Sequence, residues 1–166
     1  LPLDIDNDLV SVGATGKRAS GEVFHLLGRV TDLDSSPRAG DRIEIRECDA
    51  NGSYQHSGDS GRGTFGPYFQ GFGMTTTNRQ GADRFRTITP VSYPGRTPHI
   101  HFKVKAANGR VFTSQLYLEG HPQNKKDFLF NRLGPATAQQ AASVRQISAP
   151  ELETGAVKGT FDIVLR

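Results

Sequence analysis

Two alternating runs, 99–105 and 110–118, flank the segment Ala106-Ala107-Asn108-Gly109. This pairing constrains the fold more than any other feature of the chain. Asn-Gly supplies the left-handed backbone that a tight hairpin turn needs, so the two runs are expected as neighbouring antiparallel strands. Other short apolar runs repeat the theme. Residues 22–31 carry Val23, Phe24, Leu26, Leu27 and Val30. In 41–47, Ile43 and Ile45 face one way and Arg42, Glu44 and Arg46 the other, which reads as a half-buried strand. Residues 84–89 and 156–165 read as further strands. The Asp-, Ser-, Pro- and Gly-containing stretch 32–40 reads as a turn. Short helices are expected over 124–133, with Phe128 and Leu129 against Leu133, and, on a weaker pattern, over 136–146.

About seven short strands with turn signals between them predict an all-β fold, a two-sheet antiparallel β-sandwich with long loops and one or two short helices. The 166 residues fit one domain. Residues 1–20 read as an N-terminal arm lying on the body or on a neighbour, and 21–166 as the sandwich domain. Glycine (19) and proline (9) are plentiful and apolar residues make up 35%, a profile of strands and turns rather than a helical bundle. The Gly-, Ser- and Asn-rich segment 49–73 is long for a structureless loop, and such loops are often functional.

Charge and cysteine content narrow the function classes. The formal net charge is +3 and its basic residues form no run, so no nucleic-acid partner is expected. No segment approaches the ~20 apolar residues of a spanning helix, so no membrane partner is expected. The single cysteine, Cys48, excludes an intrachain disulfide and a thiolate cluster, and reads as a buried strand residue. A start at Leu1 fits a cytoplasmic chain or one exported after leader removal.

His99 and His101 sit two residues apart on an expected strand. Alternation places both imidazoles on one face, roughly 6.6 Å apart along the strand. Pro98 stiffens the approach, and Tyr93 precedes His99 across a Pro-Gly turn that can fold its phenol back. Tyr54 ends the segment Asp49-Ala50-Asn51-Gly52-Ser53-Tyr54, just after a strand. Alone, each residue has an ordinary structural reading. Together, two phenolates and two imidazoles suit a hard trivalent ion, and phenolate favours Fe(III) over Fe(II). Arg96 reads either as a solvated turn residue or as a cation beside the metal. Gln115, in the next strand, either lies on a solvated face or meets the same pocket. His25 and His121 read as structural residues, and His56 as structural or near a pocket rim.

The strings Asp49-Ala50-Asn51-Gly52-Ser53-Tyr54-Gln55-His56, Gly71-Phe72-Gly73, Phe85-Arg86-Thr87-Ile88-Thr89-Pro90, Tyr93-Pro94-Gly95-Arg96-Thr97-Pro98-His99-Ile100-His101-Phe102 and Gln115-Leu116-Tyr117 resemble the intradiol ring-cleavage dioxygenases. Their order and spacing are most similar to the protocatechuate 3,4-dioxygenase branch and its short single-domain relatives. The resemblance implies an immunoglobulin-like sandwich with one mononuclear non-haem Fe(III) held by Tyr54, Tyr93, His99 and His101. It implies that Tyr93 is the tyrosine displaced by substrate, and that Arg96 and Gln115 line the substrate side. The implied reaction inserts O2 between the hydroxyl-bearing carbons of a catechol, of protocatechuate, catechol or hydroxyquinol type, giving a cis,cis-muconate-type diacid. The implied partners are the catechol and O2, and a homo-oligomer is compatible with the family. This chain departs from the family at Arg46-Glu47-Cys48, Met74 and Arg84, which bears on substrate preference and subunit packing. Two other readings compete: a catalytically silent, metal-containing sandwich that only binds, and an enzyme with Zn2+ or Cu2+ at the histidine pair.

Overall fold

The computed structural model describes residues 6–54 and 66–166. In chain order the strands and helices are β1 (Val23–Asp32), β2 (Arg42–Arg46), β3 (Phe72–Thr76), β4 (Ala82–Ile88), β5 (His99–Lys105), β6 (Val111–Leu118), α1 (Phe128–Arg132), α2 (Ala136–Ala141), β7 (Ser143–Val144), β8 (Ile147–Ser148), β9 (Val157–Thr160) and β10 (Ile163–Leu165). Short 3-10 turns form at Gly13–Thr15 and Pro122–Lys126.

These strands make the two-sheet sandwich expected from the sequence. One sheet runs β3-β2-β5-β6-β7. The other is built on β1, which pairs with β4, β9 and β10, while β8 extends β9. The hairpin forms as expected: His99 faces Tyr117, His101 faces Gln115 and Lys105 faces Val111. Gly109, at φ 88°, closes its turn.

Pairing is not antiparallel throughout. β1 pairs parallel with β9 and β10, and β6 parallel with β7. Parallel neighbours need a long crossover, which the helical segment after β6 supplies. The single strand expected over 156–165 splits into β9 and β10. Phe161 donates its N–H to Leu27 O at 2.8 Å, and its own carbonyl presses on Gly28, 2.5 Å from where a Cβ would stand. Strand β3 is hidden in the glycine-rich segment because Gly73 breaks its pattern. Leu9 Cδ1 fills the space a side chain there would need. The helix expected over 124–133 starts later. Asp127 ends the 3-10 turn and caps α1, accepting from Leu129 N and Phe130 N at 3.0 Å. Phe130 is the buried aromatic, whereas Phe128 is 58% exposed.

The interior is filled from both sheets. Phe24, Leu26 and Val30 of β1 and Phe85 of β4 meet Ile43 and Ile45 of β2, Ile100, Phe102 and Val104 of β5, and Leu116 of β6. Each such side chain contributes about 1.5–3 kcal/mol when fully buried. One carboxyl shares this interior: Glu47 is fully buried and accepts from Thr87 Oγ1 at 2.6 Å, linking the two sheets. The segment from Asp6 to Ala19 lies along the body. Leu9 N donates to Arg86 O at 2.8 Å, Met74 N donates to Asp6 O at 2.8 Å, and Leu9 and Val10 are fully buried.

Candidate active site

Because side chains alternate on β5, burying Ile100, Phe102 and Val104 turns His99 and His101 to the outer face of the same sheet. Register then sets their neighbours, with Tyr117 beside His99, Gln115 beside His101 on one side and Arg46 on the other. The segment before β5 folds over this face. Tyr93-Pro94-Gly95-Arg96 is a tight turn, with Gly95 at φ 83° and Arg96 N donating to Tyr93 O at 2.9 Å. Pro then Gly at the central positions is the chemistry of a type II turn. It brings the Tyr93 phenol and the Arg96 guanidinium back to the histidines.

Two candidate donor atoms lie close to a third. His99 Nε2 lies 3.2 Å from Tyr93 Oη and 3.3 Å from His101 Nε2. Ligands about 2.1 Å from one ion, at angles of 90–120°, stand about 3.0–3.6 Å apart. The separations therefore suit donors sharing one cation. The His99 tautomer is fixed in the required sense: its Nδ1 donates to Thr97 O at 2.7 Å, leaving Nε2 unprotonated and its lone pair facing Tyr93 and Arg96. Tyr54 joins the ring cluster, with its centroid 5.7 Å from Tyr93 and 6.1 Å from His101. It is brought there by the loop that Asp49 organises, whose Oδ1 accepts from Asn51 N and Ser53 N. Among the described residues no group of three or more His, Cys, Asp and Glu side chains could hold a metal. The side-chain donors brought together on this face are the two imidazoles and the Tyr93 phenol.

Burial governs the protonation of these groups. It pulls the His99 pKa down to about 4, and Arg96 and His101 push the same way. His101 is lowered by burial and by the charges of Arg96 and Arg46. Both rings are therefore biased towards the neutral state. Burial and the neighbouring Tyr93 phenol hold Tyr54 well above the usual tyrosine range. An ionised Tyr54 would need a cation beside it.

Arg96 has a partner on each of its three nitrogens, but only one of them is an anion. Nε donates to Asp127 Oδ2 at 2.8 Å and Nη2 to Gln115 Oε1 at 2.6 Å. Its Nη1 lies 3.4 Å from His99 Nε2. Gln115 also accepts from the Tyr117 hydroxyl at 3.1 Å, and its Nε2 faces His101 Nδ1 at 3.3 Å. All six residues singled out in the sequence thus gather on one face. Three further residues of this face, Thr97, Tyr117 and Asp127, were not singled out. Thr97 and Tyr117 lie within the quoted motif strings, and Asp127 precedes the apolar Phe128-Leu129-Phe130 as a cap does.

The other histidines lie elsewhere or outside view. His25 pairs with Glu153 at 3.3 Å, and His121 caps the Pro122–Lys126 turn. His56 lies outside the described residues. Cys48 is buried, with Sγ 3.9 Å from Val91 O. A separate cleft of about 310 Å³ lies at the hairpin tip, between Phe112 and Val164, and none of the six residues lines it.

The dioxygenase family model matches residues 3–166. This chain belongs to the intradiol ring-cleavage dioxygenases. The intradiol chain is 32% identical, over 63% of its length, to a hydroxyquinol 1,2-dioxygenase of Corynebacterium glutamicum, and spans 39% of that protein. It is 27% identical, over 90% of its length, to a catechol 1,2-dioxygenase of Acinetobacter baylyi, and spans 54% of it. It therefore covers about half or less of these relatives. A solved dioxygenase domain from Streptomyces sp. SirexAA-E, part of a fusion with a carbohydrate-binding protein, superposes with a TM-score of 0.75 at 30% identity. That match covers 97% of this chain and 87% of the other.

Proposed function

We propose that this chain is a mononuclear Fe(III)-dependent intradiol dioxygenase that cleaves a catechol between its hydroxyl-bearing carbons to a cis,cis-muconate-type diacid. The observation that carries this reading is that Tyr93 Oη and His101 Nε2 each lie within 3.3 Å of His99 Nε2, with the Arg96 guanidinium alongside. Tyr54, Tyr93, His99 and His101 are the proposed ligands. A bound ferric ion supplies Lewis acidity for the two catechol oxygens and the electron-accepting character that opens the ring to O2.

The remaining work falls to the chain's own groups. Thr97 O holds the His99 ring in the metal-binding tautomer. Tyr93 Oη, from the first residue of a tight turn, would in its phenolate form accept a proton from a catechol hydroxyl. Arg96, fixed by Asp127 and Gln115, keeps a cation beside the ring where negative charge develops, so little reorganisation is needed during reaction. Gln115 links the guanidinium to His101.

The test is to load the pure protein with iron and follow oxygen consumption with catechol, hydroxyquinol and protocatechuate. One O2 consumed per ring-cleaved diacid with any of them is the expected result. Iron binding with tight catechol binding but no oxygen uptake would overturn it in favour of a silent binding module.

A further inference from the structure

We propose that Asp127 is the positioning residue of this site: it aims the Arg96 guanidinium and, through Thr97, steadies His99. The inference rests on the dioxygenase reading above. Asp127 is 1% exposed and its carboxylate meets four donors. The two oxygens divide the work. Oδ1 accepts from Leu129 N and Phe130 N, both at 3.0 Å, and so starts α1. Oδ2 accepts from Arg96 Nε at 2.8 Å and Thr97 N at 3.0 Å, and so faces the site. A helix cap alone requires only the first oxygen.

A guanidinium is planar, so holding two of its nitrogens fixes the direction of the third. Asp127 takes Nε and Gln115 takes Nη2, which leaves Nη1 beside His99 Nε2. Without the Asp127 contact, the guanidinium can pivot about its link to Gln115 and leave the reacting ring. Thr97 is tied to the same carboxylate oxygen, and its carbonyl fixes the His99 tautomer at 2.7 Å. One buried carboxylate therefore serves both the cation and a proposed metal ligand while touching neither substrate nor iron.

The division between oxygens makes the idea testable. Asp127→Ser keeps a good cap for α1 and is too short to reach Arg96. The measurement is kcat and KM of the iron-loaded full chain, for wild type, Asp127→Ser, Arg96→Ala and the double variant. A second readout is the Arg96 Nε–H resonance and its exchange rate in 15N NMR of the iron-free protein. The expected result is a fall in kcat of about tenfold to a hundredfold in Asp127→Ser. Asp127→Ser should cost much less in the Arg96→Ala background than in wild type, leaving only the part carried through Thr97 and His99, and the single variant should lose the protected Nε–H signal. An unchanged kcat, an equal loss with and without Arg96, or a retained protected signal would overturn it. If the wild type consumes no oxygen with any catechol, the dioxygenase reading fails, and the exchange rate alone decides whether Asp127 aims Arg96. Should Asp127→Ser fail to fold, Asp127→Asn, which keeps the volume but removes the charge, is read by the same two measurements.

Discussion

Each sheet carries a histidine on its outer face with an arginine network over it, and the two networks are built differently. On the β1 sheet, His25 stands opposite Arg86. Arg86 donates to both oxygens of Asp8, to both oxygens of Glu153 and to Ser11. Glu153 also meets His25 and Arg18. The guanidinium is saturated by two carboxylates, and the product is a clasp that ties the N-terminal segment to β4 and the Glu153 loop. On the β5 sheet, Arg96 has one carboxylate and one amide oxygen, and turns its last nitrogen to an imidazole. Its side chain is also less exposed, 13% against 23%. A cation matched by carboxylates holds a structure together. A cation left partly unmatched in a half-buried pocket is available to a developing anion, where its field is stronger than in water.

The largest expected effect is at the proposed ligands. Tyr93→Phe and His101→Ala should each lose iron and turnover together, read by metal analysis and oxygen uptake. Full activity in either would remove the basis for placing the metal on β5. The next effect sharpens the contrast between arginines. Arg96→Lys keeps the charge but cannot hold Asp127 and Gln115 in one plane, and should lower kcat about a hundredfold with the protein still folded. Arg86→Ala should leave kcat within about twofold and instead cost roughly 1–3 kcal/mol in urea unfolding. If the two outcomes were exchanged, the comparison would be wrong.

Glu47 is a third case, a buried carboxyl whose partner among the described residues is a hydroxyl rather than a cation. Burial raises its pKa well above 4.5, opposed by the Thr87 hydrogen bond. The folded form therefore keeps a proton that the unfolded form loses above about pH 4.5. Stability should fall as pH rises from there until the folded form also ionises, by up to about 1.4 kcal/mol per pH unit. Glu47→Gln should flatten that slope between pH 5 and 8. Parallel unfolding curves for the two proteins would show that the carboxyl is ionised in place. The smallest effect is expected at Arg46, which is exposed, sits opposite His101 and lies over the Phe72 ring at 5.4 Å. Arg46→Gln should raise KM for a carboxylated catechol about two- to fivefold relative to catechol itself.

What the sequence disclosed was local. Asn108-Gly109 fixed the hairpin, and that register placed Gln115 beside His101. Tyr93-Pro94-Gly95-Arg96 encoded the turn that folds the phenol and guanidinium back to His99. The motif order carried Tyr54, whose approach depends on a loop that no periodicity describes. What stayed hidden depends on distant partners. Strand β3 is masked because Gly73 makes room for Leu9, and the break between β9 and β10 arises where Phe161 crowds Gly28. Asp127, inside the helix expected over 124–133, is the cap of the shorter α1. Its second oxygen meets Arg96, 31 residues earlier in the chain, a contact that only the folded chain reveals.

The most direct test of the central claim is the visible spectrum of the iron-loaded protein, recorded without oxygen before and after excess catechol. The account expects a broad phenolate-to-ferric charge-transfer band that moves to longer wavelength as the catechol binds the metal. A protein that remains colourless and takes up no iron on reconstitution would contradict it.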